Sequence, residues 1–411
     1  MNKNVSQKEL DLLLTASHIR RKTKEIFDLT LNGKGQFDLH LDRLESAVKL
    51  TVSTTLSAYP DMSIPFHSRW EHFRAGGLDR VTNLEAEIGA ANPKERARTK
   101  IDLAIVSVLL DAGAGMAWKY DDSRTHQQYS KSEGLAIASY NLFEKGFFSS
   151  DPEQPFQADA KRLSQITVQE LATGFQVSDS NPLVGLEGRV NLLHQLAKTI
   201  EHTIFDFGIL RRPGMIFDFL AAEAIKGEID AERILRSLLL GLDQMWPPRM
   251  VLNGIHFGDV WSHPGLLAEG EFFESLVPFH KLSQWLSYSL IEPIQEAGIT
   301  VKNIDGLTGL PEYRNGGLFW DLEIITPKSS FDITKSYHAS TIEVIEWRAL
   351  TVQLLDQVAD GVRKYFRKTP DELPLAKILQ GGTWTAGRVL AKEKRPDAGP
   401  PFLLDSDGTV F

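Results

Sequence analysis

Apolar side chains recur at steps of three and four along most of this chain, the spacing that puts them on one face of an α-helix. The longest run is STIEVIEWRALTVQLLDQVADGVRKYFRK, where Ile345, Ala349, Val352, Leu355, Val362 and Phe366 mark a long amphipathic helix. PKERARTKIDLAIVSVLLDAGAGMAWKY begins at Asn92-Pro93, an N-cap followed by proline in the first turn, and stops at Gly113 and Gly115. SEGLAIASYNLFEKG is bounded by the capping pair Ser132/Glu133 and by Gly146. PFHKLSQWLSYSLIEPIQEAG opens on Pro278 and closes at Gly298, and DAERILRSLLLGLDQMW and LEGRVNLLHQLAKTIEH are further helices. MNKNVSQKELDLLLTASHIRRKTKEIF reads as an amphipathic helix and not as a signal peptide.

Period-two alternation is scarce, and LFWDLEIIT, Leu318–Thr326, is the best strand candidate. GLTGLPEYRNGGLFWDLE, with glycines at 306, 309, 316 and 317, predicts a loop. Proline breaks at SSDPEQPFQ and WPPRMVLNG predict surface connections, and the tail RPDAGPPFLLDSDGTVF ends on apolar residues that should pack back on the body. The expected fold is mainly α: one compact multi-helix domain over 1–411 with at most a few short strands. Two lobes, if present, would meet near residues 150–160.

Composition narrows the partners. The chain has 411 residues, 42% hydrophobic and 24% charged, which is ordinary for a folded globular protein. A formal charge of −9 argues against nucleic acid or an anionic membrane as partner, since both require a basic footprint. The absence of cysteine removes disulfides, thiolate metal sites and cysteine nucleophiles, and fits a cytoplasmic protein. No window approaches the roughly 18 apolar residues of a membrane span. A small molecule is the expected partner; the sequence leaves oligomeric state open.

P-loop, Rossmann and G-x-S-x-G patterns are absent. IHFGDVWSHP brings His256, Asp259 and His263 close in sequence, ligand types that suit zinc or iron, though the spacing matches no established metal motif. Glu343 and Glu346 precede Trp347 and Arg348 beside an apolar stripe, either as a helix-face salt bridge or as desolvated functional carboxylates. Lys281, Trp285, Tyr288 and Glu292 share one helical face, which can wall a pocket or meet a neighbouring helix. Trp118, with Lys119, Tyr120 and Asp121, follows a glycine-rich helix end and is either a substrate platform or a loop anchor. ILQGGTWTAGR (378–388) faintly resembles the helix–glycine turn–helix of DNA glycosylases, but without basic surroundings it reads as a packing turn.

RTKIDLAIVSVLLDAGAGMAWKY, FQVSDSNPLVGLEGRVNLL, FGDVWSHPG, LTGLPEYRNGGLFWD, ILQGGTWTAGR and LLDSDGTVF together resemble the uracil catabolism protein 4 family of fungi and bacteria, from about residue 10 to the C-terminus. The resemblance implies a role in salvaging uracil to its nucleotide, opening the ring and degrading the resulting ribosylurea. A more distant likeness suggests the step. Queuosine salvage proteins, which cleave queuine from its ribonucleotide, carry K-R-A-Q-I-L, L-T-x-F-x-D-Y-R and E-V-E-I-R-A segments; this chain has HKLSQWL, LTGLPEYR and EVIEWRAL in the same order. The loop aspartate is Glu312 here, and the V-P-Q that follows it is Asn315-Gly316-Gly317.

What the resemblances imply is a metal-independent, cofactor-free N-glycosidase acting on a nucleoside or nucleotide derivative, ribosylurea or its 5′-phosphate. Glu312 would stabilise the oxocarbenium-like sugar and activate water. Tyr313 or Arg314 would bind sugar hydroxyls or a phosphate. Glu346 and Arg348 would complete or brace the site, Lys281 and Trp285 would form a wall, and Asp111 and Trp118 would meet the leaving group, with Asp111 or Asp321 protonating it or hydrogen-bonding to it. The rival classes are a metal-dependent hydrolase of the opened ring or its urea moiety, using His256, Asp259 and His263, and a non-catalytic nucleotide-binding partner of another pathway enzyme.

Overall fold

A computed structural model describes residues 5–89, 92–111, 113–202, 211–267, 271–405 and 410. Helices dominate. The long helix Ile342–Phe366 is the spine, buried on the stripe that includes Ile345, Ala349, Val352, Leu355 and Val362, and it packs against Ala16–Leu31 and Leu44–Ala58. Lys281–Glu296 lies on Pro93–Leu109, and Tyr313–Asp321 lies on Trp384–Lys394. Strands among the described residues are two or three residues long and form only two-stranded pairs. No described helix is long and apolar enough to cross a membrane.

Local chemistry explains most element boundaries. Pro93 sits in the first turn of its helix, and the Asn92 side chain accepts from the Glu95 amide at 2.9 Å. The N-terminal amphipathic segment is two helices, Gln7–Leu13 and Ala16–Leu31, because Thr15 restarts the helix by capping the His18 amide. Helix Lys131–Glu144 is preceded by Ser130, two residues earlier than the Ser132/Glu133 pair suggests, and Ser130 makes no side-chain cap bond. The tail packs back as expected: Phe402 and Val410 are buried, and Leu404–Asp405 pairs in parallel with Tyr337–His338.

Two glycine-rich stretches depart from the sequence reading for one reason. Gly316 and Gly317 lie inside helix Tyr313–Asp321, and Leu318–Asp321, expected as strand, belongs to the same helix; only Ile325–Pro327 pairs, antiparallel to Phe37–Leu39. A Cβ on Gly316 would stand 2.5 Å from the Trp347 ring, and one on Gly387 would stand 2.2 Å from the Arg314 carbonyl oxygen. Gly381 and Gly382 are no turn either. They fall in a π-helical stretch, Leu379–Thr383, that joins Leu375–Ile378 to Trp384–Lys394, and a Cβ on Gly382 would meet Thr51 at 2.3 Å. Gly316, Gly382 and Gly387 serve close approach between helices, not flexibility.

Candidate functional site

The N-termini of three helices converge on a cavity of about 520 Å³. Lys281 opens helix Lys281–Glu296, Glu312 is the N-cap of Tyr313–Asp321, and Ser130 to Glu133 begin Lys131–Glu144. Helix N-termini present unpaired amides and a partial positive charge, so the cavity favours negative groups. His67, His72 and Trp285 line it beside Asp111, and Trp384, Arg388, Lys392 and the 397–400 segment complete its wall.

Glu312 is only 7% exposed. One oxygen accepts from the Arg314 amide at 2.8 Å and the other from the Asn315 amide at 2.6 Å. An ionised carboxylate offers about four lone-pair directions, so both oxygens keep capacity for a ligand. Burial pushes the Glu312 carboxyl above its usual range, opposed by the Arg314 and Asn315 amides and by the charges of Lys281 and Arg314. Burial also lowers the Lys281 ammonium, opposed mainly by Glu312 and Asp111. It lowers His67 and His72 to about 4, so both imidazoles are neutral near pH 7.

Polar atoms left without partners gather here. Of nine buried side-chain atoms lacking a hydrogen-bond partner among the described residues, four belong to residues that line this cavity: His72 Nδ1, Asp111 Oδ1, Trp285 Nε1 and Arg314 Nη1. An orphaned buried polar atom costs about 1–3 kcal/mol, and a cluster of them marks where a ligand or ordered water is expected. Asp111 keeps its other oxygen 3.1 Å from Arg69 Nη1.

Behind the cavity the polar groups are saturated. Arg348 holds both Asp259 oxygens at 2.7 Å and donates through Nε to the Pro311 carbonyl at 3.2 Å. Asp259 Oδ2 in turn accepts from the Lys281 amide at 3.0 Å. One ion pair therefore fixes the backbone at Lys281 and at the residue before Glu312. Asn315 donates to the Leu310 carbonyl at 3.2 Å and accepts from Thr383 Oγ1 at 2.9 Å, tying the same turn to the π-helical stretch.

The comparisons with known proteins agree with one another. A family described as "Protein of unknown function (DUF1688)" matches residues 12–411. "Uracil catabolism protein 4" of Lachancea kluyveri is 37% identical, over 96% of this chain and 97% of that protein. "Protein urg3" of Schizosaccharomyces pombe (strain 972 / ATCC 24843) is 40% identical over 85% of each. The chain belongs to the uracil catabolism protein 4 family.

Of the residues singled out from the sequence of this family member, Glu312, Tyr313, Arg314, Lys281, Trp285 and Asp111 all line the cavity. Four others lie outside it. Asp321, at the far end of its helix, makes a bidentate pair with Arg395 at 2.6 and 2.7 Å, while Arg395 Nε donates to the Gly399 carbonyl; it thus anchors the 397–400 segment from behind. Glu346 accepts from the Gln36 amide and faces His263 Nε2 at 3.1 Å. Arg348 braces the backbone as described. Trp118 is fully buried, with Nε1 donating to the Phe175 carbonyl at 2.9 Å, and is a loop anchor.

The three residues of the metal alternative are spread apart. His256 lines a separate cavity, with Nδ1 3.2 Å from the Trp246 carbonyl oxygen; Asp259 is engaged by Arg348 and His263 by Glu346. Among the described residues no three His, Asp or Glu side chains form a group that could hold a metal ion. Sequence reasoning missed His67, His72, Lys131, Glu133, Trp384, Arg388 and Lys392. SKSEG reads as a cap and, with the residues after it, resembles a queuosine salvage segment; TWTAGR reads as part of a packing turn and of a family motif; nothing in their spacing says that they face each other.

Proposed function

We propose that this protein is a hydrolase of uracil catabolism that cleaves the N-ribosidic bond of ribosylurea or its 5′-phosphate, releasing urea and the sugar or sugar phosphate. The pathway rests on the names of its relatives. The reaction rests on one observation above all: a desolvated carboxylate, Glu312, faces a cavity whose other lining side chains keep unpartnered donors and an unpartnered acceptor.

In this reading the water oxygen bonds to the anomeric carbon as the carbon–nitrogen bond breaks. Glu312 takes the water proton and, while anionic, stabilises positive charge on the sugar. The departing nitrogen needs a proton, and the Lys281 ammonium, made more acidic by burial, supplies it. Asp111 Oδ1 accepts from the ureido N–H groups, while Trp285 Nε1 donates to the ureido oxygen. Neutral His72 is the remaining polar contact. Arg348 and Asp259 hold Lys281 and Glu312 at fixed separation, which is the positioning such a step needs.

The test is direct. Purified protein is incubated with ribosylurea and with its 5′-phosphate, and free urea is measured. Urea from at least one, lost in Glu312→Gln, is the expected result. No urea from either, under conditions where a lysate runs the pathway, removes the proposal.

A further inference from the structure

We propose that the part of the cavity lined by Arg314 and Lys131 is a phosphate site, so that the substrate is the sugar 5′-phosphate and not the free riboside. This rests on the N-ribosyl hydrolase reading for the identity of the sugar, but the anion site itself stands on separate observations.

Arg314 is 6% exposed, lines the cavity and leaves Nη1 without a partner. Its guanidinium carbon lies 5.0 Å from the Tyr313 ring centre and 5.8 Å from that of Trp384, so aromatic faces hold it in place without neutralising it. Lys131, Arg388 and Lys392 line the same cavity. Burial lowers the Lys131 ammonium, and the like charges of Arg314 and Arg388 lower it further. Three acidic groups face this cluster: Glu312, whose carboxylate feels the Arg314 charge, and Glu133 and Asp397, which act on Lys131. Glu133 pairs with Arg388 at 2.6 Å, and Asp397 offers Lys131 a carbonyl oxygen at 3.5 Å. Arg314, Lys131 and Lys392 form no ion pair among the described residues.

The backbone adds to this. Helix Lys131–Glu144 is 14 residues long, has no side-chain cap at Ser130, and begins with Lys131 at φ +53°, a conformation rare for lysine. An uncapped N-terminus, a buried arginine with a spare donor and like charges held together in a chain of net charge −9 need one thing: a dianion.

The experiment compares urea release from ribosylurea 5′-phosphate and from ribosylurea, and titrates ribose 5-phosphate and ribose into the same protein by calorimetry. The phosphorylated compound should be preferred in kcat/KM by about 100-fold or more, as charge-assisted hydrogen bonds warrant. Ribose 5-phosphate should bind, more weakly as salt rises, and ribose should not. Arg314→Gln should cut the preference by about 10- to 100-fold. If that variant does not fold, Lys131→Gln/Lys392→Gln reads the same ratio from side chains nearer solvent. Equal turnover of both compounds, or ribose binding as tightly as its phosphate, overturns the phosphate site and leaves the hydrolase reading standing. Ribose 5-phosphate binding that depends on Arg314, with no urea from either compound, removes the hydrolase reading and keeps the phosphate site.

Discussion

Arg348 and Arg314 are both nearly buried, at 1% and 6% exposure, and the fold treats them in opposite ways. Arg348 has a bidentate carboxylate, a backbone carbonyl and the Phe279 ring 4.1 Å from its guanidinium carbon. Arg314 has two aromatic rings and a spare donor. A saturated buried charge is costly to break and contributes rigidity. An unsaturated one carries a standing cost that a ligand can remove. The same contrast separates the two sides of Glu312: ordered, paired groups behind it, and orphaned atoms in front.

The largest effect that sharpens this contrast falls on the orphaned side. Glu312→Gln should lower turnover by about 10²–10⁴-fold, the range for losing a positioned acid–base group. Its melting temperature should stay level or rise. Because the folded-state pKa is raised, folding is most favoured with the carboxyl protonated, and stability falls as pH rises through the window between the unfolded and folded values. A neutral isostere escapes that loss. A large drop in melting temperature would mean that Glu312 is a structural cap.

Arg348→Met should show the opposite pattern. Leaving Asp259 buried and unpaired costs about 3–5 kcal/mol of stability, read as a lower midpoint in denaturant. A stability unchanged from wild type would erase the distinction between the two arginines. Gly316→Ala comes next. The added methyl meets the Trp347 ring at 2.5 Å, and overpacking of this kind costs about 1–3 kcal/mol.

The smallest effects concern the edges of the comparison. Asp321→Asn weakens the anchor of the 397–400 segment and should raise KM by a few-fold at most, in keeping with about 1 kcal/mol for a lost partly buried pair. The pH profile of kcat/KM should be narrower than free side chains would give. Its acid limb should lie above about 4.3 and its alkaline limb below about 10.4, the ordinary values for glutamate and lysine, because burial raises Glu312 and lowers Lys281. Limbs at the ordinary values would place both groups in open water.

Helical periodicity was enough to locate the spine Ile342–Phe366 and the helices around Val190, Ile234 and Leu290, because a 3.6-residue repeat of apolar side chains has no other stable burial. The family motifs drew attention to Glu312, Arg314 and Lys281, and these do share one cavity. The glycine-rich stretches misled. Gly316, Gly382 and Gly387 look like turn residues, but each is required by a side chain or carbonyl distant in sequence that leaves no room for a Cβ. Asp321 and Trp118 also looked like site residues, and only the position of Arg395 and of the Phe175 carbonyl assigns them elsewhere.

Sequence alone determined the class of fold and the acidic net charge, since these follow from local pattern and composition, while one candidate carboxylate came from the resemblance to known families. Tertiary structure decided which charges are answered and which are not. Whether a buried arginine finds a carboxylate, as Arg348 finds Asp259, or a like charge, as Arg314 finds Lys131, depends on residues far apart in the chain, and no local rule of spacing carries that information.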